Sequence, residues 1–181
     1  MKNEKGIQTE NQRIRTANQE DAVIISLLGR VTFTETFGHL FEDNQDLLDY
    51  LEQTFSVHKI ESSIVKPKNK FWIAYVNKLP VGYAKLKLNS KSSFIDSDLS
   101  CQLQKIYVLK QFLAMKIGSK LQDTVIHEAK KLGFDTLWLS VLHTNQRAIR
   151  FYEKNKFASI GNHNFRIGKE NFYFNVMSRS L

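Results

Sequence analysis

Hydrophobic and polar positions follow their most regular pattern between Cys101 and Phe157, where they predict a strand–loop–helix–strand–helix unit. The first strand is apolar at Leu103 and at residues 106–108. The unit comprises this strand, a loop over Lys110–Lys116, a helix from Ile117–Gly118 to Gly133, a buried strand over Thr136–Val141, and a helix capped by Asn145. A strand that feeds a helix N-terminus is a ready phosphate site, because the first backbone N–H groups of the helix lack partners.

The pattern before this unit predicts two helices and a hairpin. The predicted elements are a short strand at Arg13–Arg15, a helix from the N-cap Asn18 to Gly38, a helix from Asn44 with Leu47, Leu48, Leu51 and Phe55 on one side, strands at Phe71–Val76 and Val81–Leu88 joined by a turn at residues 77–80, and a serine-rich loop over Asn89–Ser100. After the unit, two closing strands, Phe157–Gly161 and Phe172–Met177, are joined by a connection over residues 162–168.

Composition and length predict one globular domain over residues 13–181, with residues 1–12 as a disordered extension because they are polar and lack periodicity. No apolar run approaches a membrane span, and the polar start lacks the apolar stretch of a signal peptide. We therefore expect a cytoplasmic protein without a membrane partner. The single cysteine, Cys101, excludes an internal disulfide, and its predicted place on a central strand favours a buried, inert thiol.

The net charge of +8 comes from lysines that are spread thinly along the chain, Lys85 and Lys87 among them. This distribution favours a solvated basic surface over a nucleic-acid interface, so we expect no nucleic-acid partner. The five histidines show no pair at a spacing typical of metal ligands, so we expect no metal.

Two motifs in the Cys101–Phe157 unit carry a resemblance to a known family. The pattern Asn-x-x-Ala-x-x-Phe-Tyr-x-x-x-x-Phe is complete, as Asn145, Ala148, Phe151, Tyr152 and Phe157. Before it, a strand that ends in an aromatic residue and Val leads into a loop at Leu113–Gly118, where the family has Arg/Gln-x-x-Gly-x-Gly/Ala. Together they resemble the acetyl-CoA-binding core of the GNAT superfamily of N-acetyltransferases. The resemblance implies an α/β GNAT (acyl-CoA N-acyltransferase) fold, a mixed twisted sheet of about seven strands flanked by about four helices.

The resemblance also implies a cofactor site and its chemistry. The residues that it assigns to acetyl-CoA are Ile106, Tyr107 and Val108 for the pantetheine and carbonyl, Leu113, Ala114, Met115, Lys116, Ile117, Gly118 and Ser119 for the pyrophosphate, Asn145 and Tyr152 near the thiol, and Lys154 or Lys120 for the 3′-phosphate. Tyr152 would protonate the CoA thiolate, and the first strand would splay from its neighbour so that its backbone groups can bind the cofactor.

Two shorter segments resemble the bacterial polyamine (spermidine/spermine) acetyltransferase branch. They are the Thr-Phe-x-x-Thr-Phe-Gly run at residues 32–38 and the tail from Gly161 through His163 to Met177, in which Phe174 stands where the branch often has an acid. This resemblance assigns Glu35 to attracting a cationic amine, and Phe33, Phe37 and His163 to the acceptor. For the general base, Glu35, His39 and His163 acting through water are the candidates. The two phenylalanines are four residues apart, a spacing that favours core packing, and Glu35 is equally consistent with a surface charge.

The sequence departs from the family at three points that leave its function open. Leu113 lacks the usual polar side chain, Lys116 replaces a glycine, and Gln102 and Gln104 stand where the family often has a catalytic Glu. Lys116 is consistent with a point charge for the pyrophosphate or with a side chain that blocks the groove. We expect acetyl-CoA-dependent N-acetylation of a small-molecule amine, with a polyamine as the candidate acceptor that the resemblance favours and a homodimer as the candidate assembly. The alternatives are a non-catalytic acyl-CoA-sensing module and a protein or peptide N-acetyltransferase.

Overall fold

The computed structural model describes residues 11–181, which form a seven-stranded sheet with five α-helices packed on it. The elements in chain order are β1 (Gln12–Thr16), α1 (Ala22–Phe37), α2 (Asn44–Phe55), α3 (Val57–Ile64), β2 (Asn69–Val76), β3 (Leu79–Lys87), β4 (Ser100–Val108), α4 (Ile117–Lys131), β5 (Thr136–Leu142), α5 (Gln146–Lys154), β6 (Ala158–Ile167) and β7 (Glu170–Ser180). A 3₁₀ segment over Lys110–Met115 precedes α4.

The strands lie in the order β1-β2-β3-β4-β5-β7-β6, and every neighbouring pair is antiparallel except β4 and β5. This confirms the predicted GNAT fold with its mixed sheet of seven strands. The parallel pair is the strand–helix–strand unit that the sequence predicts, because a parallel neighbour needs a crossover connection and α4 supplies it.

Helices cover both faces of the sheet. On one face α4 packs against the central strands, where Leu121 and Val125 join Leu103 and Leu139 in one core cluster. On the other face α1 and α3 cover β2 and β3, where Ile25 and Ile60 meet Ile73. The central strands are therefore buried on both sides, which explains their nearly continuous apolar sequence.

The helix count is five, compared with the four predicted, because α3 is missing from the sequence prediction. Val57, Ile60 and Ile64 have the spacing of a short amphipathic helix, but eight residues give too few repeats for a clear signal. One detail of α2 is also wrong. The sequence predicts Leu48 on the buried side with Leu47, Leu51 and Phe55, whereas Leu48 is 55% exposed and the other three are buried.

The closing strands are longer than predicted. Residues 162–168, expected as a loop, belong mostly to β6, which pairs with β7 up to Ile167 opposite Glu170. The chain reverses at Gly168 and Lys169, where Gly168 has a φ of 57°. The polar run Asn162-His163-Asn164 predicts a loop because it shows no alternation of apolar and polar residues. An antiparallel ribbon with exposed faces tolerates such a run.

Two boundaries also differ. The predicted four-residue turn at 77–80 is a two-residue turn, because Asn77 and Lys78 both have positive φ and Leu79 already pairs with Val76. The predicted extension over residues 1–12 lies outside the described residues except for its last two. Gln12 begins β1, and Asn11 exchanges hydrogen bonds with Asn77, so these two residues belong to the sheet region.

Candidate active site

The parallel strands β4 and β5 separate shortly after they begin. They pair only from Ser100 with Thr136 to Gln102 with Trp138, although β4 continues to Val108 and β5 to Leu142. Beyond that point β5 bonds to β7 on its other side, and β4 bonds to β3. The β4 backbone groups that face β5 are thus without a strand partner, as the sequence analysis predicts, and are free to bind a ligand.

A cavity of about 700 Å³ occupies the gap between the two strands. Most of the residues predicted from sequence line it: Phe33, Glu35, Phe37, Ile106, Tyr107, Val108, Leu113, Ala114, Lys116, Gly118, Ser119, Asn145, Tyr152 and His163. Met115, Ile117 and Lys154 do not. Met115 and Ile117 pack into the core above α4, and Lys154 is exposed at the end of α5. We call this space the β4–β5 cavity.

The N-terminus of α4 forms one end of the β4–β5 cavity. Its first helical hydrogen bond runs from the Lys120 N–H to the Lys116 carbonyl, so the N–H groups before it have no helical partner. A Cβ atom built on Gly118 meets nothing within 4 Å, so the space beside this first turn is open. This end of the cavity therefore fits an anionic group such as a pyrophosphate.

Lys116 enters α4 in the left-handed conformation, with φ 59° and ψ 16°. Such a backbone favours glycine, which explains why the family pattern has a glycine at this position. The lysine adopts it here, and its exposed side chain lines the β4–β5 cavity. The loop before α4 therefore keeps this backbone conformation despite the substitution, and Lys116 adds a positive charge to the cavity wall.

The α5 helix places Tyr152 in the wall of the β4–β5 cavity. Asn145 caps this helix by accepting the Ala148 N–H at 3.1 Å, as predicted. The Tyr152 ring packs against Phe151 and Phe157, with ring centroids 5.3 and 5.6 Å away, and only 8% of the residue is exposed. Burial raises the pKa of Tyr152, so its phenol stays protonated and serves as a hydrogen-bond donor.

The acceptor-side residues on α1 have mixed roles. Phe33 belongs to a buried aromatic cluster with Phe37 and Tyr50, each 4.8 Å away between ring centroids, which agrees with the core packing that their spacing favours. Glu35 is exposed, and its carboxylate accepts the Lys110 N–H at 3.0 Å. Glu35 therefore also fastens α1 to the start of the loop before α4.

His163 lies on β6 at the opposite wall. Its ring stacks on Phe174 with centroids 5.4 Å apart, and its Nε2 is 2.9 Å from Ser140 Oγ on β5. Phe174, which stands where the polyamine branch often has an acid, thus serves as a platform for the histidine. The roles of His163 and Glu35 in catalysis stay predictions.

A second cavity, of about 800 Å³, adjoins the first on the face of the sheet covered by α2 and α3. The two share Tyr50, Gln104, Lys105, Phe165 and Ile167, so we call the second space the side cavity. Gln104 is the extra residue of a bulge in β4, because Lys85 pairs with Lys105 while Leu86 pairs with Leu103. A bulge re-aims the residues beside it, and here it lies where the two cavities meet.

Lys85 and Lys105 line the side cavity, and the sequence analysis missed both as site residues. Lys85 was interpreted as part of a solvated surface, which is wrong. Burial lowers the pKa of both lysines to about 8, and for Lys85 the nearby Lys105 adds to the effect. The available signal was the placement of each lysine on a strand with mostly apolar neighbours, whereas their cross-strand pairing follows only from the register of β3 and β4.

Three further features concern the single thiol, metal-binding side chains and membrane-spanning helices. Cys101 is buried as predicted, and burial raises the pKa of its thiol to about 12, so the thiol is inert. Across residues 11–181, no three His, Cys, Asp or Glu side chains are grouped where they could hold a metal ion. Over the same residues, no helix has the length and apolar character needed to cross a membrane.

Comparison with known proteins gives consistent results for sequence and structure. The sequence model of the acetyltransferase (GNAT) family matches residues 32–157. An uncharacterised N-acetyltransferase of Lactobacillus delbrueckii subsp. lactis is 25% identical over 160 residues, which cover 87% of this chain and 91% of that protein. One of Mycobacterium bovis is 27% identical over 137 residues, which cover 76% and 83% of the two chains.

Solved structures share the fold at lower sequence identity. The PaiA N-acetyltransferase of Thermoplasma acidophilum, solved in complex with coenzyme A, superposes with a TM-score of 0.74 at 19% identity, covering 94% of this chain and 99% of that chain. The ribosomal-protein-S18-alanine N-acetyltransferase of Escherichia coli gives a TM-score of 0.68 at 17% identity, with 94% of each chain covered.

Proposed function

The chain belongs to the acetyltransferase (GNAT) family and is an N-acetyltransferase, and we propose that it transfers the acetyl group of acetyl-CoA to a primary amine of a small molecule. The observation that carries this proposal is the separation of β4 and β5 after Gln102 and Trp138, with the β4–β5 cavity between them. An unpaired strand backbone, a helix N-terminus and a buried phenol meet in that cavity, and these are the groups that binding and cleaving a thioester require.

The residues of the β4–β5 cavity fit acetyl-CoA, which supplies an activated acetyl group as its thioester. The free backbone groups of Ile106–Val108 would bind the pantetheine as an added strand. The N–H groups around Gly118 and the positive end of the α4 dipole would hold the pyrophosphate, assisted by the Lys116 ammonium. The space left open beside Gly118 provides the room for that contact.

The chemistry requires charge to be stabilised at the acetyl carbonyl oxygen and a proton at the leaving sulfur. A backbone N–H of β4 that faces the cavity would donate to the carbonyl oxygen, as in other acyl transfers. The protonated phenol of Tyr152 would donate to the CoA sulfur as negative charge develops there. The amine must lose protons as it attacks, and Glu35 or His163, acting through water, are the groups in the cavity wall suited to accept them.

A polyamine is the finer acceptor assignment that the two short sequence resemblances favour. Its support in the structure is the pair of carboxylates, Asp46 and Asp49, that line the side cavity. Lys85 and Lys105 line the same space and oppose a polycation there. We therefore propose a small-molecule amine as the acceptor class and treat the polyamine as the second candidate. A homodimer and the absence of nucleic-acid or membrane partners stay predictions.

The first experiment measures acetyl-CoA binding by calorimetry on the purified protein, followed by thiol release with a panel of amines. We expect saturable binding and amine-dependent thiol release, with the acetylated product identified by mass spectrometry. Binding without thiol release across the panel would contradict the proposal and favour a protein acceptor or an acyl-CoA sensor. Acetylation of peptides but of no small amine would likewise contradict the acceptor class.

A further inference from the structure

Lys85 and Lys105 form a pair of half-buried cations in the wall of the side cavity. They lie directly opposite each other on the antiparallel strands β3 and β4, so their side chains leave the same face of the sheet. Lysine ammonium groups brought this close repel each other, and neither is fully exposed to water. Such a pair of cations is unfavourable unless an anion binds beside it.

The protein supplies no carboxylate to either lysine within the described residues. Lys105 Nζ lies 4.8 Å from the ring centroid of Phe55 and 5.7 Å from that of Tyr107. Lys85 Nζ donates to Ser63 Oγ at 2.9 Å and lies 5.2 Å from the ring centroid of Phe71. Lys105 thus lies near two aromatic rings and Lys85 near one ring and one hydroxyl, and these contacts leave hydrogen-bond capacity unused on both ammonium groups.

A third group in the same wall also lacks a partner. The side chain of Tyr83 is 1% exposed and lines the side cavity, and its hydroxyl has no hydrogen-bond partner among the described residues. Tyr83 is two residues before Lys85 on β3, and its cross-strand neighbour is Tyr107, two residues after Lys105. Two cations and an unsatisfied hydroxyl therefore occupy one patch of the sheet. A buried polar group without a partner is costly, so each such group calls for an explanation.

The two acidic residues of the side cavity are engaged elsewhere. Asp46 accepts the backbone N–H of Lys169 at 2.8 Å, and Asp49 accepts the Gln45 side-chain amide at 2.7 Å. Both belong to α2, and neither forms an ion pair with Lys85 or Lys105. The positive charge in the wall of the side cavity is thus not neutralised by the acids at its edge.

Resting on the proposed function, we propose that Lys85, Lys105 and Tyr83 bind an anionic group of the acceptor, so that the substrate is a small amine that also carries a carboxylate or a phosphate. The side cavity meets the β4–β5 cavity at Gln104 and Lys105. An acceptor held by its anion in the side cavity can extend its amine into the β4–β5 cavity. The two ammonium groups and the Tyr83 phenol would each donate a hydrogen bond to the anion. The anion would thus offset the repulsion between the lysines and give the Tyr83 hydroxyl a partner.

The test compares acceptor amines of the same chain length that differ only in the group at the end opposite the reacting amine. The probes are ω-amino carboxylic acids of increasing length, the corresponding ω-amino alcohols, α,ω-diamines and aminoalkyl phosphates. We expect kcat/KM for the best acid or phosphate to exceed that of its alcohol by about tenfold or more, the size of one charge-assisted hydrogen bond. The diamine of the same length should be the poorest acceptor. Whether the acid or the phosphate is better identifies the anion.

Variants test the residues assigned to the anion. Lys105→Met and Lys85→Met should each reduce the preference for the acid over the alcohol to near one, while Lys105→Arg should retain part of it. The lower ratio should come from a lower kcat/KM for the acid. Lys131→Met removes the same charge from the exposed end of α4, outside both cavities, and should leave the preference unchanged. Thermal unfolding of every variant confirms that it is folded.

The pH dependence provides an independent readout. The groups facing the two lysines are Asp46, Asp49 and Tyr50 on α2, Lys59 on α3, Tyr83 on β3, Tyr107 on β4 and Arg166 on β6. The preference for the acid over the alcohol should fall as pH rises through about 8, because the lysines then lose the charge that binds the anion. The ratio of the two acceptors is used because ionisation of the reacting amine affects both.

The outcomes separate this inference from the function on which it rests. If no acceptor releases thiol while acetyl-CoA binds, the proposed function and the inference both fail. If alcohols or diamines are acetylated as well as the acids and phosphates, the inference fails and the function stands. A loss of all activity with Lys105→Met, for acids and alcohols alike, would also overturn it, since that result would make the lysine a proton acceptor.

Discussion

Gln102 and Trp138 are the last residues paired across the parallel ladder of β4 and β5. Up to these residues the two strands are hydrogen-bonded to each other, and after them the strands diverge around the β4–β5 cavity. The place where the ladder ends thus determines which β4 backbone groups can bind a ligand. It also places Tyr107, Tyr152 and His163, which come from three different elements, around one space.

The proposed role of Tyr152 as the proton donor to the CoA sulfur can be tested by a substitution that removes only its hydroxyl. Tyr152→Phe should lower kcat by about 10²-fold or more, the usual loss for a positioned proton donor. The KM for acetyl-CoA should change little, since the ring remains and continues to pack against Phe151 and Phe157. Steady-state kinetics with saturating amine measure both constants.

The matched control for Tyr152 is Tyr173→Phe. Tyr173 is exposed on β7 and lines neither cavity, so this variant should retain wild-type kcat. Full activity of Tyr152→Phe would show that water or another group protonates the CoA sulfur.

Two glycines, Gly118 in the first turn of α4 and Gly82 on β3, predict contrasting effects. A Cβ on Gly118 meets nothing within 4 Å, whereas one on Gly82 lies 2.6 Å from the Tyr107 carbonyl oxygen. Gly118→Ala should leave the free energy of unfolding unchanged or slightly raised, since alanine favours a helix, and should weaken acetyl-CoA binding by filling its space. Gly82→Ala should cost about 1–3 kcal/mol of stability because it pushes β4 away from β3. Denaturant unfolding and calorimetry separate the two effects.

If Gly118→Ala bound acetyl-CoA as tightly as the wild type, the pyrophosphate would not lie beside the first turn of α4. If Gly82→Ala were as stable as the wild type, the β3–β4 pairing would be more adaptable than the close contact with Tyr107 indicates.

How well the sequence predicts each strand or helix depends on whether its residues form a clear apolar pattern or a cap. The unit from Cys101 to Phe157 was predicted closely because its strands are buried on both faces and its helices have clear caps, such as Asn145 at 3.1 Å from the Ala148 N–H. By contrast, β6 was predicted too short. Its exposed polar residues give no alternation, and only its partner β7 reveals it as a strand.

The helix start beside the β4–β5 cavity was easier to predict than the side cavity for a related reason. A helix start depends on local sequence, so the start of α4 at Ile117–Gly118 follows from the chain alone. Lys85 and Lys105 become a pair only through the register of β3 and β4, and that register includes the bulge at Gln104. Single-sequence patterns do not contain that information, because a bulge shifts every later side chain.

The ion pair between Arg15 and Asp21 predicts how stability depends on pH. Two guanidinium nitrogens of Arg15 donate to Asp21 at 2.7 and 2.6 Å, and the Asn18 N–H donates at 2.8 Å. These contacts lower the pKa of the buried Asp21 carboxyl, with the Arg15 hydrogen bonds the largest cause. Because the folded pKa lies below the unfolded value of about 3.9, this contribution is present above about pH 4 and is lost as pH falls through the folded pKa.

Asp21→Asn should therefore cost about 2–3 kcal/mol at neutral pH, the lower end for a buried pair because Arg15 is partly exposed. Its difference from the wild type should shrink as pH falls below about 4. Asp98→Asn, which breaks an ion pair with Lys91 at the surface, is the control and should not change stability measurably. Urea unfolding over a pH series measures each; a constant difference at all pH values would contradict the assignment.

Lys116 carries two separable roles, one in the backbone and one in the side chain. Its left-handed conformation, with φ 59°, is unfavourable for most residues and worst for β-branched ones. Lys116→Val should therefore lower the free energy of unfolding by about 1–2 kcal/mol, while Lys116→Gly should stay within about 0.5 kcal/mol of the wild type because glycine accepts this backbone. The Lys116→Gly variant also tests the charge, because it removes the ammonium from the cavity wall without straining the loop.

We expect Lys116→Gly to bind acetyl-CoA more weakly than the wild type. The ratio of the two dissociation constants should fall as salt is raised, because salt screens an exposed ammonium. Calorimetric titrations at low and high salt measure that factor. Unchanged or tighter binding by Lys116→Gly would mean that the lysine merely tolerates the position and that the N–H groups of α4 hold the pyrophosphate alone.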